Sequence, residues 1–485
     1  MTTVRETHIG VVMLLGDRAY KFKKPVRTEF LDFSTREQRE RACRREVELN
    51  RRLAPDAYLG VGELGGPDDE AAEPVVVMRR MPDERRLSAV VGDDRGGAAE
   101  VREIARVVAA FHARAERSSA IDAAGTTGMV RQRWDGVLAG LRAAAGPVLD
   151  RDEVTALDRA VRRFLHGREP LFAERIDAGR IVDGHGDLLA EDVFVLPDGP
   201  QIMDCLEFDD RLRHLDGLDD AAFLAMDLEY HGRPDLGRAF LGWYAEFAND
   251  PAPNALRHHY LAYRAAVRAR VACLRTEQEG RGPGEPEPES VTEARRYAEL
   301  ARRHLDRAAV RLVLVGGLPG TGKSTVASGM ADRAGMVVLS TDRLRKELAG
   351  LDPERPAAAV YRSGLYAPEH TRRVYRELLA RAGALLGRGE SVVLDASWTV
   401  EAERDRAADL AERTASDLVA LRCALPAPEA ARSLAERTGA VSDANSRIAE
   451  SMAADEDPWP QAYELRTDGP ADDVVTRAVA VLGQP

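Results

Sequence analysis

Short apolar runs, separated by longer stretches with helical spacing, dominate the last third of the chain. The runs read RLVLVGG, VVLST, SVVLDAS and DLVALRCAL. Nearly continuous apolar strands of this kind are typical of a parallel sheet covered by helices on both faces. The pattern therefore predicts an α/β domain at residues 307–485.

The first part of the chain has a different pattern. The strand-like runs HIGVVMLL, RAYKFK and PVVVMRR lie within residues 1–80, and a polar helix is predicted between them at about 35–53. From about residue 100 to residue 276 helical spacing prevails, interrupted by IVDGHGDLLAEDVFVLPDGPQIMDCLEF. We therefore predict an α+β domain at residues 1–276, with a small strand-rich lobe and a larger helical lobe.

A segment rich in proline, glycine and acidic residues separates these two patterns. It reads EQEGRGPGEPEPES at Glu277–Ser290 and has little to bury, so we expect an exposed linker. Helical spacing resumes over residues 291–307. The predicted organisation is multidomain, with a linker and connecting helix at residues 277–306.

Composition narrows the classes of function. The formal net charge of −12 argues against nucleic acid as the main partner, because phosphate backbones are bound by basic surfaces. No apolar run reaches the roughly 18 residues of a membrane span, so no membrane association is predicted. The four cysteines are far apart and form no CxxC pair, which is typical of thiols in a reducing cytoplasm.

The strongest motif is GGLPGTGKST, which follows the run RLVLVGG and has the spacing GxxxxGK[ST]. Glycines at this spacing let backbone N–H groups point at phosphate oxygens, and the following helix adds the positive end of its dipole. A lysine in the motif contacts the β- and γ-phosphates, and the hydroxyl after it binds magnesium. We predict a nucleotide site formed by Gly317, Leu318, Pro319, Gly320, Thr321, Gly322, Lys323, Ser324 and Thr325.

Acidic residues follow the next two apolar runs. Asp342, in LSTDRLRKEL, is predicted to handle the hydroxyl of an acceptor, although it would also serve as a helix N-cap. Arg345 lies three residues later, on the same helical face, and is predicted to bind an anionic group of the substrate. Asp395 ends the run SVVLD, and we predict that it shares magnesium with Ser324.

A polar stretch near residue 440 contains further arginines. Arg437, with Arg432 and Arg447 near it, is predicted to close over the nucleotide phosphates. The alternative is that these are ordinary surface arginines in an arginine-rich protein.

A second group of candidate residues lies around GHGDLLAEDVFV at Gly184–Val195. Asp187 is predicted to take a proton from an acceptor, while Asp192 and Asp204 are predicted to bind a metal ion. Lys21 is predicted to contact phosphates and to pair with Glu46. The alternatives for these last two roles are Lys23, Lys24 and Glu48.

The C-terminal motifs carry a family resemblance. GLPGTGKST, LSTDRLRKELAG, YAPEHTRRVYRELL and SVVLDASW resemble the small P-loop kinases of the predicted-kinase and zeta-toxin-like group, over residues 311–482. The resemblance implies a P-loop parallel sheet, ATP and Mg²⁺ as cofactors, and phosphorylation of a small hydroxyl-bearing molecule.

The N-terminal stretches resemble the aminoglycoside phosphotransferase-like kinases, over residues 7–270. The pieces that carry this resemblance are THIGVVMLLGDRAYKFKKPV, the GHGD turn and CLEFDDRLRHLDGLDDAAFLAMDLEYHGR. It implies a two-lobed protein-kinase-like fold. The sequence departs from the family at Leu189, usually histidine, and at Asp192, usually asparagine, and no glycine-rich loop precedes Lys21.

Together these features predict a cytoplasmic, ATP- and Mg²⁺-dependent phosphotransferase with a small-molecule alcohol as acceptor. An alternative is a nucleotide-dependent switch or ATPase whose N-terminal lobe is a non-catalytic binding module. A toxin-like kinase of a nucleotide sugar is a further possibility from the resemblance alone. The sequence leaves open the acceptor, the activity of the N-terminal site and the oligomeric state.

Overall fold

The computed structural model describes residues 3–6, 10–27, 32–65, 72–92, 96–279, 288–352, 367–435 and 446–483. The chain divides into two compact units. The first, called the N-terminal unit, contains Met1–Asp158, Phe172–Ala252 and Arg257–Asp306. The second, called the C-terminal unit, contains Arg159–Leu171, Pro253–Leu256 and Arg307–Pro485.

The first nine strands precede the segment predicted as a linker. They are β1 (Thr3–Glu6), β2 (Gly10–Leu15), β3 (Arg18–Lys23), β4 (Tyr58–Leu64), β5 (Glu73–Arg79), β6 (Ile181–Asp183), β7 (Val193–Leu196), β8 (Gly199–Ile202) and β9 (His214–Asp216). The strands β1 to β5 form one antiparallel sheet in the order β1-β2-β3-β5-β4. Two short antiparallel pairs, β6 with β9 and β7 with β8, flank the GHGD turn.

In the described chain, ten α-helices begin before the same segment, and an eleventh, α11, begins at its end. They are α1 (Arg36–Asn50), α2 (Leu87–Val91), α3 (Ala98–Arg114), α4 (Ser119–Asp122), α5 (Thr127–Ala143), α6 (Arg151–His166), α7 (Glu169–Asp177), α8 (Gly217–Tyr230), α9 (Pro234–Phe247), α10 (Asn254–Glu279) and α11 (Glu289–Ala308). Thr35 caps α1 and, with Gln38, forms a capping box. Helix α1 packs on the five-stranded sheet through Cys43 and Val47, which belong to the same core as Val76 and Met78 of β5.

The predicted strand-rich lobe is confirmed, with two strands that the pattern did not show. Strands β2, β3 and β5 correspond to the three predicted runs. Strand β4 was missed because Gly60 and Gly62 interrupt it, and the register shifts between Tyr58 and Gly60.

The C-terminal unit contains a fully parallel sheet. Its strands are β10 (Arg311–Gly316), β11 (Val337–Ser340), β12 (Val392–Asp395), β13 (Asp417–Ala424) and β14 (Tyr463–Arg466), in the order β11-β12-β10-β13-β14. Its helices are α12 (Lys323–Ala334), α13 (Thr341–Leu348), α14 (Pro368–Gly387), α15 (Glu401–Arg413), α16 (Ala427–Ala435), α17 (Ser446–Ala454) and α18 (Ala471–Val481). The predicted α/β class is confirmed.

The core of this sheet explains the apolar runs. Val313 and Val315 of β10 and Val393 of β12 are fully buried and pack with Val326 and Met330 of α12. Strand β14 was missed because it is a short edge strand in which only Leu465 is buried. Within the described residues, no helix combines the length and the apolarity needed to cross a membrane.

Candidate functional site

The GGLPGTGKST loop connects β10 to α12 and has a backbone that requires glycine. Gly317, Gly320 and Gly322 have φ values of 130°, 88° and 81°, in the left-handed region that other residues rarely adopt. A Cβ atom on Gly317 would lie 2.5 Å from the carbonyl oxygen of Cys423, and one on Gly320 would lie 2.6 Å from that of Ala430. The loop therefore depends on its glycines for both conformation and space.

The polar groups of the loop close it around Lys323. The Lys323 ammonium donates a hydrogen bond to the carbonyl oxygen of Leu318 at 3.0 Å, and the Thr321 hydroxyl donates to the same oxygen at 2.7 Å. Lys323 is the first residue of α12, so its ammonium and the N-terminal amides of that helix lie beside the same loop. This arrangement can bind an anion such as a phosphate chain.

Ser324 and Asp395 meet where β12 ends. The Ser324 hydroxyl donates a hydrogen bond to Oδ2 of Asp395 at 2.7 Å. Asp395 stands opposite Val315 of β10 and Ser340 of β11, at the carboxyl edge of the sheet. A hydroxyl and a carboxylate so close together are hard oxygen donors that fit Mg²⁺, whose remaining ligands in such sites are phosphates and water.

Asp342 reaches the same edge from the next strand. Helix α13 begins at Thr341, and Ser340 is its N-cap, so the alternative role of Asp342 as the cap is wrong. The Thr341 hydroxyl donates to the carbonyl oxygen of Asp395 at 3.3 Å, which fastens the start of α13 to the end of β12. Asp342, the next residue, is half-buried in the first turn of the helix.

The predicted arginines differ in their positions. Arg345 is buried on α13, where its Nη1 donates to the hydroxyl of Thr371 at 3.2 Å. Arg432 is exposed on α16. Arg437 lies outside the described residues.

In the N-terminal unit, two lysines share one buried carboxylate. Lys21 lies 2.9 Å from Oε1 of Glu46, as predicted, and Lys23 lies 2.6 Å from Oε2. Lys21 also contacts Asp204, and Lys23 contacts Glu207. Burial disfavours the charge of Lys21, but Asp204 and Glu46 outweigh it and hold the pKa of Lys21 well above its usual value.

Two of the alternative residues are engaged elsewhere. Lys24 pairs with Glu6 at 2.5 Å, and Glu48 pairs with Arg45 at 3.0 Å on the exposed face of α1. Lys23 was predicted only as an alternative to Lys21, whereas both lysines contact Glu46, and the involvement of Glu207 was not predicted. For Lys23 the available signal was its spacing from Lys21 on β3, because residues two apart on a strand share a face. Glu207 lies outside the strands, between β8 and β9, and no such spacing pointed to it.

The GHGD turn is anchored by Asp220 of α8. The Asp220 carboxylate accepts the backbone N–H of His185 at 2.6 Å and that of Gly186 at 2.9 Å. The His185 ring bonds the Met203 carbonyl through Nε2 at 3.0 Å, so Nδ1 can accept the Asp187 N–H at 3.3 Å. Asp187 is thereby presented on a turn held by buried hydrogen bonds.

The three predicted acids of this turn influence one another. Burial raises the pKa of Asp187 to about 6; Asp204 adds to the rise, while Arg268 and Arg264 oppose it. Burial, followed by Asp204 and Asp187, raises the pKa of Asp192 well above its usual range. Burial also works against ionisation of Asp204, but Lys21 prevails and lowers its pKa. In the described part of the chain, no group of three or more His, Cys, Asp or Glu side chains is arranged to hold a metal ion.

Several residues around this turn were missed. Asp219 binds Arg264 at 2.7 Å, Arg264 donates to the Gly186 carbonyl at 3.3 Å, and Asp227 accepts the Ala190 N–H at 2.8 Å. The available signal was the occurrence of acids in the otherwise apolar segment GLDDAAFLAMDLEY, because acids buried in such a helix need partners.

Comparison with known proteins gives one family match and several relatives. The AAA domain family matches residues 312–458, which contain the GGLPGTGKST loop. The uncharacterized proteins Rv2004c and MT2060 of Mycobacterium tuberculosis and Mb2027c of Mycobacterium bovis are each 47% identical to this chain over 475 residues. Each alignment covers 98% of this chain and 94% of the relative.

Similar solved structures include two small kinases. The Mycobacterium tuberculosis APS kinase CysC in complex with AMPPNP and APS is 20% identical with a TM-score of 0.28, and the match covers 36% of this chain and 99% of that one. A gluconokinase from Sinorhizobium meliloti 1021 is 18% identical with a TM-score of 0.27, and the match covers 36% and 91%. The GDP and kanamycin complex of APH(2")-IIia is 13% identical with a TM-score of 0.37, covering 62% and 92%.

Proposed function

This chain belongs to the family of the mycobacterial proteins Rv2004c, MT2060 and Mb2027c, and we propose that it is an ATP- and Mg²⁺-dependent kinase acting on a hydroxyl group of a small molecule. The observation that carries the proposal is the 2.7 Å contact between Ser324 and Asp395 beside the GGLPGTGKST loop. A phosphate-binding loop with a hydroxyl and a carboxylate at its edge suits a nucleotide with its metal ion.

The proposed roles follow from the positions of the side chains. Lys323 and the amides of the loop hold the β- and γ-phosphates, and Ser324 and Asp395 hold Mg²⁺, which supplies charge neutralisation on the phosphates. Asp342 takes the proton of the acceptor hydroxyl. The acceptor oxygen then bonds to the γ-phosphorus, the bond from that phosphorus to the bridging oxygen breaks, and ADP leaves.

Arg345 indicates the charge of the proposed acceptor. A buried guanidinium one turn from Asp342 suits an acceptor with an anionic group, such as a carboxylate.

The cysteines support the proposed cytoplasmic location. All four are free and buried, which suits a reducing compartment.

The experiment that tests the proposal is an ATP-consumption screen on the full chain over sugars, sugar acids, nucleosides and antibiotics. Mass spectrometry of each consumed acceptor should show one added phosphoryl group. Lys323→Ala should abolish this activity, whereas Asp187→Ala should leave it intact if the transfer takes place in the C-terminal unit. Activity lost in Asp187→Ala and retained in Lys323→Ala would move the proposed reaction to the N-terminal unit.

A second candidate function is a nucleotide-dependent switch with a non-catalytic N-terminal module. The observation that favours it is the direct contact between Lys21 and Asp204, because the predicted phosphate-binding cation and a predicted metal ligand neutralise each other. ATP hydrolysis that needs no acceptor and persists in Asp342→Asn would support this candidate.

A further inference from the structure

The backbone after β12 contains a buried residue in an unfavourable conformation. Trp398 has a φ of 54° and no exposed surface. A bulky residue in the left-handed region is strained and persists only where its surroundings hold it. The contacts of the Ser397–Trp398 turn therefore indicate its structural role.

Hydrogen bonds fix Trp398 on several sides. Its backbone N–H donates to the Tyr375 hydroxyl at 3.2 Å, and its indole N–H donates to the Leu394 carbonyl at 3.2 Å. Its carbonyl oxygen accepts Nη1 of Arg404 at 2.7 Å. The Tyr375 and Trp398 rings pack edge to face, with centroids 5.2 Å apart. Tyr375 is thus the contact that approaches the turn from α14.

The same turn contacts Gly317, which is the first glycine of the GxxxxGK[ST] spacing in the phosphate-binding loop. The Ser397 carbonyl oxygen, just before Trp398, accepts the N–H of Gly317 at 3.1 Å. The Tyr375 hydroxyl exchanges a hydrogen bond with the Ser397 side chain at 3.3 Å. The Tyr375 hydroxyl therefore bonds to both Ser397 and Trp398, and the Ser397 carbonyl in turn orients the N–H of Gly317.

Helix α14 also contacts Arg345, the residue predicted to bind an anionic group of the substrate. Thr371 lies one turn before Tyr375 on α14, and its hydroxyl accepts Nη1 of Arg345. Residues four apart on a helix lie on one face, so α14 presents one hydroxyl to the predicted acceptor arginine and another to the turn.

We infer that Tyr375 is a positioning residue for nucleotide binding, which acts through the Ser397–Trp398 turn on Gly317. This inference rests on the proposed nucleotide site, but not on the identity of the acceptor. The loop amides bind phosphate well only when they are already oriented, because the cost of ordering them otherwise reduces the affinity. Removing the Tyr375 hydroxyl leaves the ring packing in place and releases the turn.

The test is calorimetric titration of the full chain with AMPPNP and Mg²⁺ at a temperature well below unfolding. Tyr375→Phe removes both hydrogen bonds of the hydroxyl and should raise the Kd about five- to tenfold, with the number of sites per chain unchanged. The stoichiometry distinguishes weaker binding from partial unfolding of the variant. Partial unfolding lowers the number of sites per chain but leaves the Kd of the folded molecules unchanged, whereas a misoriented loop raises the Kd.

Two further variants make the result decisive. Tyr260→Phe removes another buried hydroxyl, which donates to Asp216 at 3.1 Å in the other unit, and should leave the Kd unchanged. Lys323→Ala should abolish binding. A Tyr375→Phe Kd equal to that of the unmodified chain, or an equal rise in Tyr260→Phe, would overturn the inference. Unaltered binding by Lys323→Ala would instead refute the proposed nucleotide site.

Discussion

The hydroxyl of Ser324 lies 2.7 Å from Oδ2 of Asp395, although the two residues are 71 positions apart in the chain. The contact forms because only the short loop of residues 317–322 separates β10 from α12, and β12 pairs with β10 so that Val315 stands opposite Asp395. Parallel pairing places the ends of both strands on one edge of the sheet. The two oxygen donors are thus brought together by the register of the sheet.

Asp395→Asn should remove most of the effect of magnesium on nucleotide affinity. The amide retains the shape of the carboxylate but lacks its charge. The factor by which Mg²⁺ lowers the Kd for AMPPNP should therefore be at least about tenfold smaller than in the unmodified chain. The measurement is calorimetric titration with and without MgCl₂. Asp409→Asn, at an exposed position on α15, is the matched control. A full magnesium effect in Asp395→Asn would contradict the assignment.

Asp342→Asn should separate phosphoryl transfer from nucleotide binding. Loss of a general base lowers the rate by about 10²–10⁴-fold, while the amide still occupies the first turn of α13. We expect the acceptor-dependent rate to fall by that factor and the Kd for AMPPNP to stay within twofold. Arg343→Gln, at the exposed next position, controls for a general change in α13. An unchanged transfer rate would exclude Asp342 as the base.

Glu46→Gln should destabilise the N-terminal unit. Glu46 is fully buried between Lys21 and Lys23, and the amide leaves two buried ammonium groups with less compensation. Breaking a buried ion pair costs about 3–5 kcal/mol, and we expect about 3 because Asp204 and Glu207 remain. The shift of the urea unfolding midpoint measures this change.

The control for this prediction is Glu48→Gln on the same helix. Glu48 is an exposed partner of Arg45, and exposed ion pairs contribute less than about 1 kcal/mol. Equal shifts of the midpoint in Glu46→Gln and Glu48→Gln would show that the shared carboxylate is not important for stability.

Asp187→Asn should make the protein more stable at neutral pH but not in acid. The pKa of Asp187 rises from 3.8 to about 6 in the folded chain, so the folded state binds the proton more tightly than the unfolded state. The contribution of Asp187 to the stability of the unmodified chain is therefore greatest below about pH 4 and falls as pH rises to 6.

The advantage of Asp187→Asn should accordingly appear between pH 4 and 6 and level off above that range. We expect about 2 kcal/mol, less than the full value of the shift, because Asp187 is only partly buried. Urea unfolding in EDTA at pH 4, 5, 6 and 7.5 measures it. Asp56→Asn, on an exposed turn, corrects for the loss of a surface charge. A difference that is constant across this range would contradict the prediction.

A site was easier to predict from the sequence when the residues that form it are close together in the chain. The GGLPGTGKST loop was predicted in full because strand, glycines, lysine and helix are contiguous. Asp342 and Asp395 were predicted because each ends an apolar run. Their relation to the loop required the strand order, which a set of similar apolar runs does not specify.

The amino-acid sequence by itself determined the parallel-sheet class of the C-terminal unit and the motif of the phosphate-binding loop, because period, turn chemistry and short motifs are local. For the buried ion pair of the N-terminal unit it left Lys23 and Lys24 as alternatives to Lys21, and Glu48 as an alternative to Glu46. Only the tertiary structure decided that Lys23 shares Glu46, that Asp220 holds the GHGD turn and that Tyr375 supports the turn beside Gly317. Those contacts join residues far apart in the chain, and buried polar groups must find partners wherever the packing of the fold places them.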